Sequence, residues 1–388
     1  MAKIYLDNAA TTPIAPEVLD TMLPYFREFY GNPSSTHVFG RQVRNAIELS
    51  RRNIAKHLNC HPSEIIFTSG GTEADNIALR CAVRDLGVKN IITTQIEHHA
   101  VLHTVDHLVK SDNIHVHYVN LKKNGHVDLN HLEELLKSNE DVLVSLMHGN
   151  NEVGNLLPLK KVGEMCKQYN AYFHSDTVQT MGHYRFDLKE LGVDFLACAA
   201  HKFHGPKGVG FLFKRSGIKT SPMIEGGAQE RGIRGGTENI YGIVGLSKAF
   251  DLAYEELEEH QKSIQEIKTY MIKRLREEID EIRFNGDFEG ESLYTVLNVK
   301  FPSCDIDSQI LFRLDIEGIA CSGGSACSSG SKKGSHVLSN VGLDGLGPSI
   351  RFSFSRYNTK EDIDVCIKAL KDICTFGMEV ENEEMNKQ

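Results

Sequence analysis

Between about residue 60 and residue 215 the chain alternates short apolar runs with Gly-containing or polar turns and longer helical stretches. Strands that alternate with helices in this way predict an α/β fold with a mostly parallel, doubly wound sheet. Several of the runs are apolar throughout, which is typical of strands covered on both faces. The runs span residues 65–67, 91–93, 115–119, 142–146, 171–174, 195–198 and 209–213.

The C-terminal part of the chain has a different pattern. Residues 246–282 contain neither Gly nor Pro, and their apolar positions recur near helical spacing, which predicts one long helix or two in tandem. Beyond them, 293–299 and 350–355 have the pattern of strands in a smaller α+β domain. We therefore predict an N-terminal segment (1–15) that joins the small domain, a large domain (16–250), a small domain (251–376) and a polar tail (377–388).

Charge, hydropathy and cysteine content narrow the classes of function. A net charge of −9 gives no general electrostatic reason to bind nucleic acid or an anionic membrane. No apolar run reaches the roughly 18 residues of a membrane helix, and the first acidic residue, Asp7, comes too early for a signal peptide. The 9 cysteines are scattered, without a CxxC pair. They indicate free thiols in a reducing compartment, so we expect a cytoplasmic location.

Two polar motifs follow predicted strands and could contact a ligand. Residues 68–76 (TSGGTEADN) lead from a strand into a helix, where glycines and free N–H groups suit a phosphate. The alternative for this motif is a turn with a Ser or Thr cap. Asp176 follows the strand predicted at 171–174, and the carboxyl ends of strands in open α/β sheets face the ligand crevice. It is either a helix cap or the partner of a protonated ring nitrogen.

A lysine completes this set. Lys202 follows another buried strand, in a turn rich in small residues, where a lysine can have a lowered pKa and form a covalent bond to a carbonyl. Taken alone, it would be read as a surface lysine in a loop. A phosphate cradle, a strand-end aspartate and a strand-end lysine are together the parts that pyridoxal phosphate requires.

The segment 320–335 consists mainly of Gly, Ser and Ala around Cys321 and Cys327. This composition predicts an exposed, mobile loop, in which Lys332 and Lys333 would favour a thiolate. The alternative is a flexible linker with an incidental thiol. Cys321 follows apolar residues and is expected to be the more buried of the two, but loop composition alone does not choose between them.

Over roughly residues 3 to 375, the sequence resembles the cysteine desulfurases that serve iron–sulfur cluster and nitrogenase maturation. The resemblance implies the fold type I of pyridoxal-phosphate enzymes, with a seven-stranded sheet, and a homodimer. It also implies conversion of L-cysteine to L-alanine with a persulfide on the enzyme, whose sulfur passes to an acceptor or an iron–sulfur scaffold protein. The motifs that carry it are 5–13, 31–35, 68–76, 97–98, 150–152, Asp176 with Gln179, 201–202, 231–237, 325–327 and 350–353.

The resemblance also implies a role for each matching position. Lys202 holds the cofactor and moves protons, Cys327 accepts the sulfur, and His98 stacks on the ring. Arg351, with Asn151 beside it, binds the substrate carboxylate. The remaining cofactor contacts are Asp176 at the ring nitrogen, Gln179 and Asn151 near the ring hydroxyl, and Gly71, Thr72 and His201 at the phosphate, with Thr237 reaching the phosphate from the other subunit.

Three further features of the sequence bear on phosphate binding, on the need for an activator and on a possible metal site. Ala199 stands where the family commonly has a phosphate-binding serine, so one donor is expected to be missing. The cysteine loop has the long Ser-Ala-Cys form, which favours an enzyme that needs no activator. His99, His103 and His107 recur every four residues, yet nothing completes a clear metal site, so we predict no metal.

Several other functions are alternatives to that of a cysteine desulfurase. A selenocysteine lyase or a cysteine-sulfinate desulfinase would share the cofactor site but can act without an attacking thiol. A non-catalytic sulfur carrier or scaffold would keep the fold and lose the chemistry. An aminotransferase would need no cysteine loop.

Overall fold

The structure is a computed structural model that describes residues 3–302, 309–323, 334–343 and 347–385, with side chains up to residue 374. Cys327 and its neighbours Ser325 and Ala326 lie outside the described residues. The strands are β1 (Ile4–Tyr5), β2 (Ile65–Thr68), β3 (Asn90–Thr93), β4 (His115–Tyr118), β5 (Val142–Ser145), β6 (Tyr172–Asp176), β7 (Phe195–Ala199), β8 (Gly210–Lys214), β9 (Arg283–Asn285), β10 (Val296–Lys300), β11 (Ile319–Ala320) and β12 (Ser349–Ser353).

Helices separate most of these strands. They are α1 (Pro16–Arg27), α2 (Val38–His57), α3 (Gly71–Leu86), α4 (His99–Asp112), α5 (Leu129–Ser138), α6 (Leu159–Gln168), α7 (Ile240–Glu255), α8 (Leu257–Glu278), α9 (Ile310–Ile316), α10 (His336–Asn340) and α11 (Lys360–Met385). Helices α7 and α8 are the tandem pair predicted for 246–282. Helix α11 continues into the segment predicted as a polar tail. In the part of the chain that is described, no helix is both long and apolar enough to cross a membrane.

The seven predicted apolar runs form one sheet in the order β2-β8-β7-β6-β5-β3-β4. Strands β4, β3, β5, β6 and β7 pair in parallel, and β8 is antiparallel to both β7 and β2. This confirms the prediction of a mostly parallel sheet in an α/β fold. Since parallel neighbours point the same way, the polar residues that follow β6 and β7 lie at one edge of the sheet.

A second, smaller unit is built on the antiparallel sheet β12-β10-β9. Its buried apolar cluster includes side chains of α8, α9 and α11. The N-terminal strand β1 pairs in parallel with β11, and Ile4 and Leu6 are buried in the same cluster. Helix α7 crosses the predicted boundary at residue 250, and its buried residues as far as Tyr254 belong to the larger cluster.

Candidate active site

An open cavity lies where β6 and β7 end and α3 begins. Its wall contains residues from the N-terminal segment, the large sheet and the small domain. Nine of the predicted site residues line it, and they are Gly71, Thr72, His98, Asn151, Asp176, Gln179, His201, Lys202 and Arg351. The structure therefore brings together residues that are up to 280 positions apart in the chain (351 − 71).

Lys202 ends a short 3₁₀ turn that directly follows β7. Its Nζ donates hydrogen bonds to the carbonyl oxygens of Ala9 and Ala10, at 2.6 and 2.9 Å. The Gln179 side chain donates to the same Ala9 carbonyl at 2.9 Å. The N-terminal segment thus fixes the lysine at the cavity wall, and sequence reasoning did not identify this contact.

Asp176 is the last residue of β6 and is 7% exposed. Its carboxylate accepts a hydrogen bond from the Val178 N–H at 2.9 Å. Burial raises the pKa of Asp176, and the nearby His98 and Lys202 oppose that rise. Burial in turn lowers the pKa of His98, although Asp176 opposes this. A buried carboxylate that is short of positive charge suits a cationic ring nitrogen.

The start of α3 at the cavity has features that could bind a phosphate. Helix α3 begins at Gly71 without a side-chain cap, so its first N–H groups are available at the cavity. A Cβ on Gly71 would lie 2.4 Å from the Val178 Cγ2 atom, so only glycine fits. Burial lowers the pKa of His201 to about 4, with Lys202 and Lys207 contributing, so the ring is neutral at pH 7.

The residues around the cavity fit pyridoxal phosphate. Lys202, the buried Asp176 carboxylate and the helix start at Gly71 and Thr72 surround one cavity, and together they match the aldehyde, the ring nitrogen and the phosphate. Ala199 lines the same cavity and offers no hydroxyl. Thr237 lies apart from it, in a surface cavity with Ser69 and Gly208. Its predicted contact comes from a second subunit and stays a prediction.

Arg351 is 1% exposed, lies in β12 and reaches the cavity from the small domain. One guanidinium nitrogen contacts the Asp7 carboxylate at 2.8 Å, and the other donates to the Asn151 carbonyl at 2.9 Å. Its Nε is buried and has no hydrogen-bond partner among the described residues. A planar guanidinium fixed on two sides and short of one acceptor suits a carboxylate ligand.

Three acidic residues near the cavity, the half-buried Asp7 and the buried Glu97 and Asp75, were not predicted as site residues. Asp7 pairs with Arg351, as described above. Glu97 is 1% exposed, and burial raises its pKa to about 8. Asp75 lines the cavity, and its carboxylate lies 3.3 Å from the His174 Nε2 atom; burial, reinforced by Asp176, raises the pKa of Asp75 well above its usual range. Asp75 and Glu97 do lie in motifs that the sequence singled out, but their burial has no local signal.

The cysteine segment is described at its two ends. Cys321 packs against the smaller apolar cluster, and burial raises its pKa to about 12, so it is a thiol and not a thiolate at neutral pH. Ser322 exchanges backbone hydrogen bonds with Arg351. Cys327 is the fifth residue after Ser322 in the sequence, and five residues span at most about 18 Å when fully extended.

Comparison with known proteins identifies similar chains. The profile of the aminotransferase class-V family matches residues 4–366. The protein named cysteine desulfurase IscS from Dictyoglomus turgidum is 43% identical over 375 residues, which cover 96% of this chain and 94% of that relative. The putative cysteine desulfurase IscS 1 of Bacillus subtilis is 44% identical over 379 residues, which cover 96% and 99% of the two chains.

Solved structures agree with these relatives. A NifS-like protein superposes with a TM-score of 0.89 at 38% identity, covering 97% of this chain and all (100%) of that one. A structure described as SspA in complex with cysteine has a TM-score of 0.79 at 31% identity, covering 92% of this chain and 100% of that one. Both similarities extend over the large sheet and the small domain alike.

Proposed function

The chain belongs to the class-V aminotransferase family and, within it, to the cysteine desulfurases, and from this premise we propose how it acts. It uses pyridoxal 5′-phosphate to remove sulfur from L-cysteine, giving L-alanine and a persulfide on Cys327. The observation that carries the proposal is that Lys202, Asp176 and Arg351 line one cavity. A lysine, a buried carboxylate and a carboxylate-binding arginine together select an amino acid bound beside this cofactor.

The cofactor would be held at three points. Lys202 would hold it covalently, Asp176 would pair with its ring nitrogen, and the helix N–H groups at Gly71 and Thr72, with His201, would bind its phosphate. When bound, the cofactor supplies an electron sink for the bonds around the substrate's α-carbon. His98 and Gln179 line the same cavity, where they would contact the ring face and the ring hydroxyl.

Arg351 orients the substrate. Its guanidinium is fixed by Asp7 and by the Asn151 carbonyl, so its ordering is complete before L-cysteine arrives. Arg351 lines the cavity, where its guanidinium can engage a substrate carboxylate. Lys202, positioned by two carbonyl oxygens, is the group that removes and returns protons at the substrate carbons.

Sulfur transfer then needs a thiolate. The Cys327 thiolate forms a bond to the substrate sulfur while the carbon–sulfur bond breaks, and the electron pair stays with the carbon, which takes up a proton and becomes the methyl group of L-alanine. No outside oxidant or reductant is needed. Cys321 is unsuited to this step because its thiol is buried and its pKa is raised to about 12.

The partners are part of the same proposal. We infer a homodimer in which Thr237 of each chain completes the phosphate site of the other, and a cytoplasmic enzyme that passes its sulfur to an acceptor or an iron–sulfur scaffold protein. The exposed position of Thr237, outside the cavity of its own chain, supports the dimer. The seven described cysteines are all free thiols, which suits a reducing compartment.

The test compares two cysteine variants in the protein loaded with pyridoxal phosphate. Cys327→Ala should abolish persulfide formation and the linked release of L-alanine from L-cysteine, whereas Cys321→Ala should keep both. Mass spectrometry of the intact protein detects the added sulfur, and amino-acid analysis detects L-alanine. Persistence of the wild-type rate in Cys327→Ala would instead favour a lyase or desulfinase that needs no attacking thiol. A wild-type protein that gains no visible absorbance with the cofactor would favour a non-catalytic carrier.

A further inference from the structure

The chain segment that carries Cys327 is fastened to the active site at both of its described ends. At the first end, the Ser322 hydroxyl donates to the Asp7 carboxylate at 2.8 Å, and Ser322 exchanges backbone hydrogen bonds of 3.2 and 2.6 Å with Arg351. At the second end, the Ser335 hydroxyl donates to a carboxylate oxygen of Glu152. Both anchors thus rest on residues adjoining the arginine that is proposed to bind the substrate.

Glu152 is itself rigidly placed. It is completely buried, its N–H donates to the Asn150 side chain at 2.9 Å, and its carbonyl accepts from the Asn298 side chain at 3.0 Å. The residue before it, Asn151, accepts the hydrogen bond from Arg351. The second oxygen of the Glu152 carboxylate is buried and has no hydrogen-bond partner among the described residues.

A buried carboxylate is costly, and packing alone would be better served by an apolar side chain. In the described part of the chain, the Ser335 hydroxyl is the group that the Glu152 side chain binds. Ser335 also caps α10, since its oxygen accepts from the Leu338 N–H at 3.1 Å. A cap by itself needs no buried acid, so the contact with Glu152 requires a separate explanation.

The beginning of α10 makes a second contact with the site. The His336 Nε2 atom donates to the Glu97 carbonyl at 3.0 Å, and its ring lies 4.6 Å from the ring of His99. Glu97 and His99 flank His98, which lines the cavity. Residues 335 and 336 therefore join the small domain to two different walls of the site.

We propose that Glu152, acting through Ser335, is a positioning residue for the sulfur-transfer step. The pair fixes the point at which the chain returns to the fold eight residues after Cys327, a distance that spans at most about 28 Å. With Ser322 fixed as well, the described residues on both sides of the cysteine segment are held beside the residues that contact Arg351, and we expect loss of either anchor to slow sulfur transfer. This proposal rests on the proposed function and adds residues that do not touch the substrate.

Four variants separate positioning from helix capping. Ser335→Thr keeps both the cap and the hydroxyl, whereas Ser335→Asp keeps a good cap but places a second carboxylate against Glu152. Glu152→Gln keeps an acceptor of the same shape, and Glu152→Ala removes it. Ser339→Ala, an exposed position on the same helix, is the matched control.

The measured quantities are kcat and KM for L-alanine release by the cofactor-loaded dimer. Ser335→Asp and Glu152→Ala should lower kcat on the order of ten- to a hundred-fold, the effect of losing a buried hydrogen bond and leaving its remaining partner unsatisfied, while KM stays within about twofold. Ser335→Thr, Glu152→Gln and Ser339→Ala should stay within about threefold of wild type. A kcat for Ser335→Asp equal to that of wild type would overturn the proposal, as would an equal loss in Ser335→Thr.

A second readout does not depend on turnover. Trypsin can cut after Lys332 and Lys333, immediately before the anchor at Ser335. Cleavage there should be faster in Ser335→Asp and Glu152→Ala than in wild type and the Ser339→Ala control, and unchanged rates in both would overturn the proposal. If wild type releases no L-alanine but the cleavage rates still differ, the proposed function fails while the anchoring stands.

Discussion

Glu97 is a buried acid, and the effect of replacing it by glutamine on the free energy of unfolding can be predicted at each pH. One of its oxygens accepts hydrogen bonds from the Thr94 hydroxyl at 2.9 Å and from the Met147 N–H at 3.0 Å. The other oxygen is buried without a partner in the described part of the chain. Burial is the largest influence on this carboxyl and raises its pKa from 4.5 to about 8; Asp176 adds to the rise, and the two hydrogen bonds oppose it.

The raised pKa of Glu97 determines how the free energy of unfolding changes with pH. Below pH 4.5 the carboxyl is protonated in both the folded and the unfolded chain, so its stabilising contribution is complete. Between pH 4.5 and 8 the unfolded chain has released the proton while the folded chain still holds it, so the free energy of unfolding falls as the pH rises. The slope approaches ~1.4 kcal/mol per pH unit, for a total on the order of 4 kcal/mol by pH 8.

Glutamine does not titrate and has the shape of the protonated acid. The free energy of unfolding of Glu97→Gln, minus that of wild type, should therefore be near zero at pH 5 and rise by a few kcal/mol towards pH 8. Urea unfolding of the apoprotein followed by circular dichroism, at matched protein concentration across this range, measures the difference. A difference that does not change with pH would refute the argument.

Glu73 provides a control of opposite sign. Burial, the largest influence on its pKa, would raise it, but hydrogen bonds from Arg234 and the Ser69 N–H outweigh that and lower it. Its stabilising contribution is thus present at neutral pH and is lost as the pH falls through the folded-state pKa. Glu73→Gln should destabilise the protein at pH 7, and the loss should shrink in acid.

Other substitutions test the ligand contacts and the core. Arg351→Lys should lower kcat/KM for L-cysteine on the order of a hundred-fold in a steady-state assay of L-alanine release, because an ammonium cannot replace the fixed planar fork. Gly71→Ala should weaken cofactor binding, measured by absorbance titration, and adding Val178→Ala should restore it because it removes the Cγ2 atom that a Cβ would meet at 2.4 Å. Arg51→Leu should cost about 3–5 kcal/mol in urea unfolding, because it leaves the buried Glu230 carboxylate without its 2.8 Å guanidinium partner.

The fold was predictable where its signal is local. Each of the seven apolar runs became a strand of the large sheet. Most of these strands are buried along nearly their whole length, because a strand covered on both faces must be apolar, whereas the edge strand β4 is exposed or half-buried. The tandem helices α7 and α8 were predictable for the same reason, since their apolar positions repeat with helical spacing. The Leu293 end of the predicted strand was wrong: β10 begins at Val296, and residue 293 is a buried apolar residue in the preceding turn.

The site was predictable only in part. Asp176 and Lys202 follow strands, and parallel strands bring their ends together, so physical reasoning could group them. The ion pair between Asp7 and Arg351 joins residues 344 positions apart, and the sequence has no periodic feature that links them. The same holds for Glu97 and Asp75, whose burial depends on how separate elements pack.

The N-terminal segment makes several of the contacts that the sequence did not predict, and these contacts bear on function. Residues 7–10 contact both parts of the site. The Asp7 carboxylate binds Arg351 and Ser322, and the Ala9 and Ala10 carbonyls bind Lys202. The lysine belongs to the large domain and the arginine to the small one, so the segment sets the distance between the group that we propose to hold the cofactor and the group that we propose to orient the substrate. A displacement of this short segment therefore moves both catalytic partners, although it is remote from them in sequence.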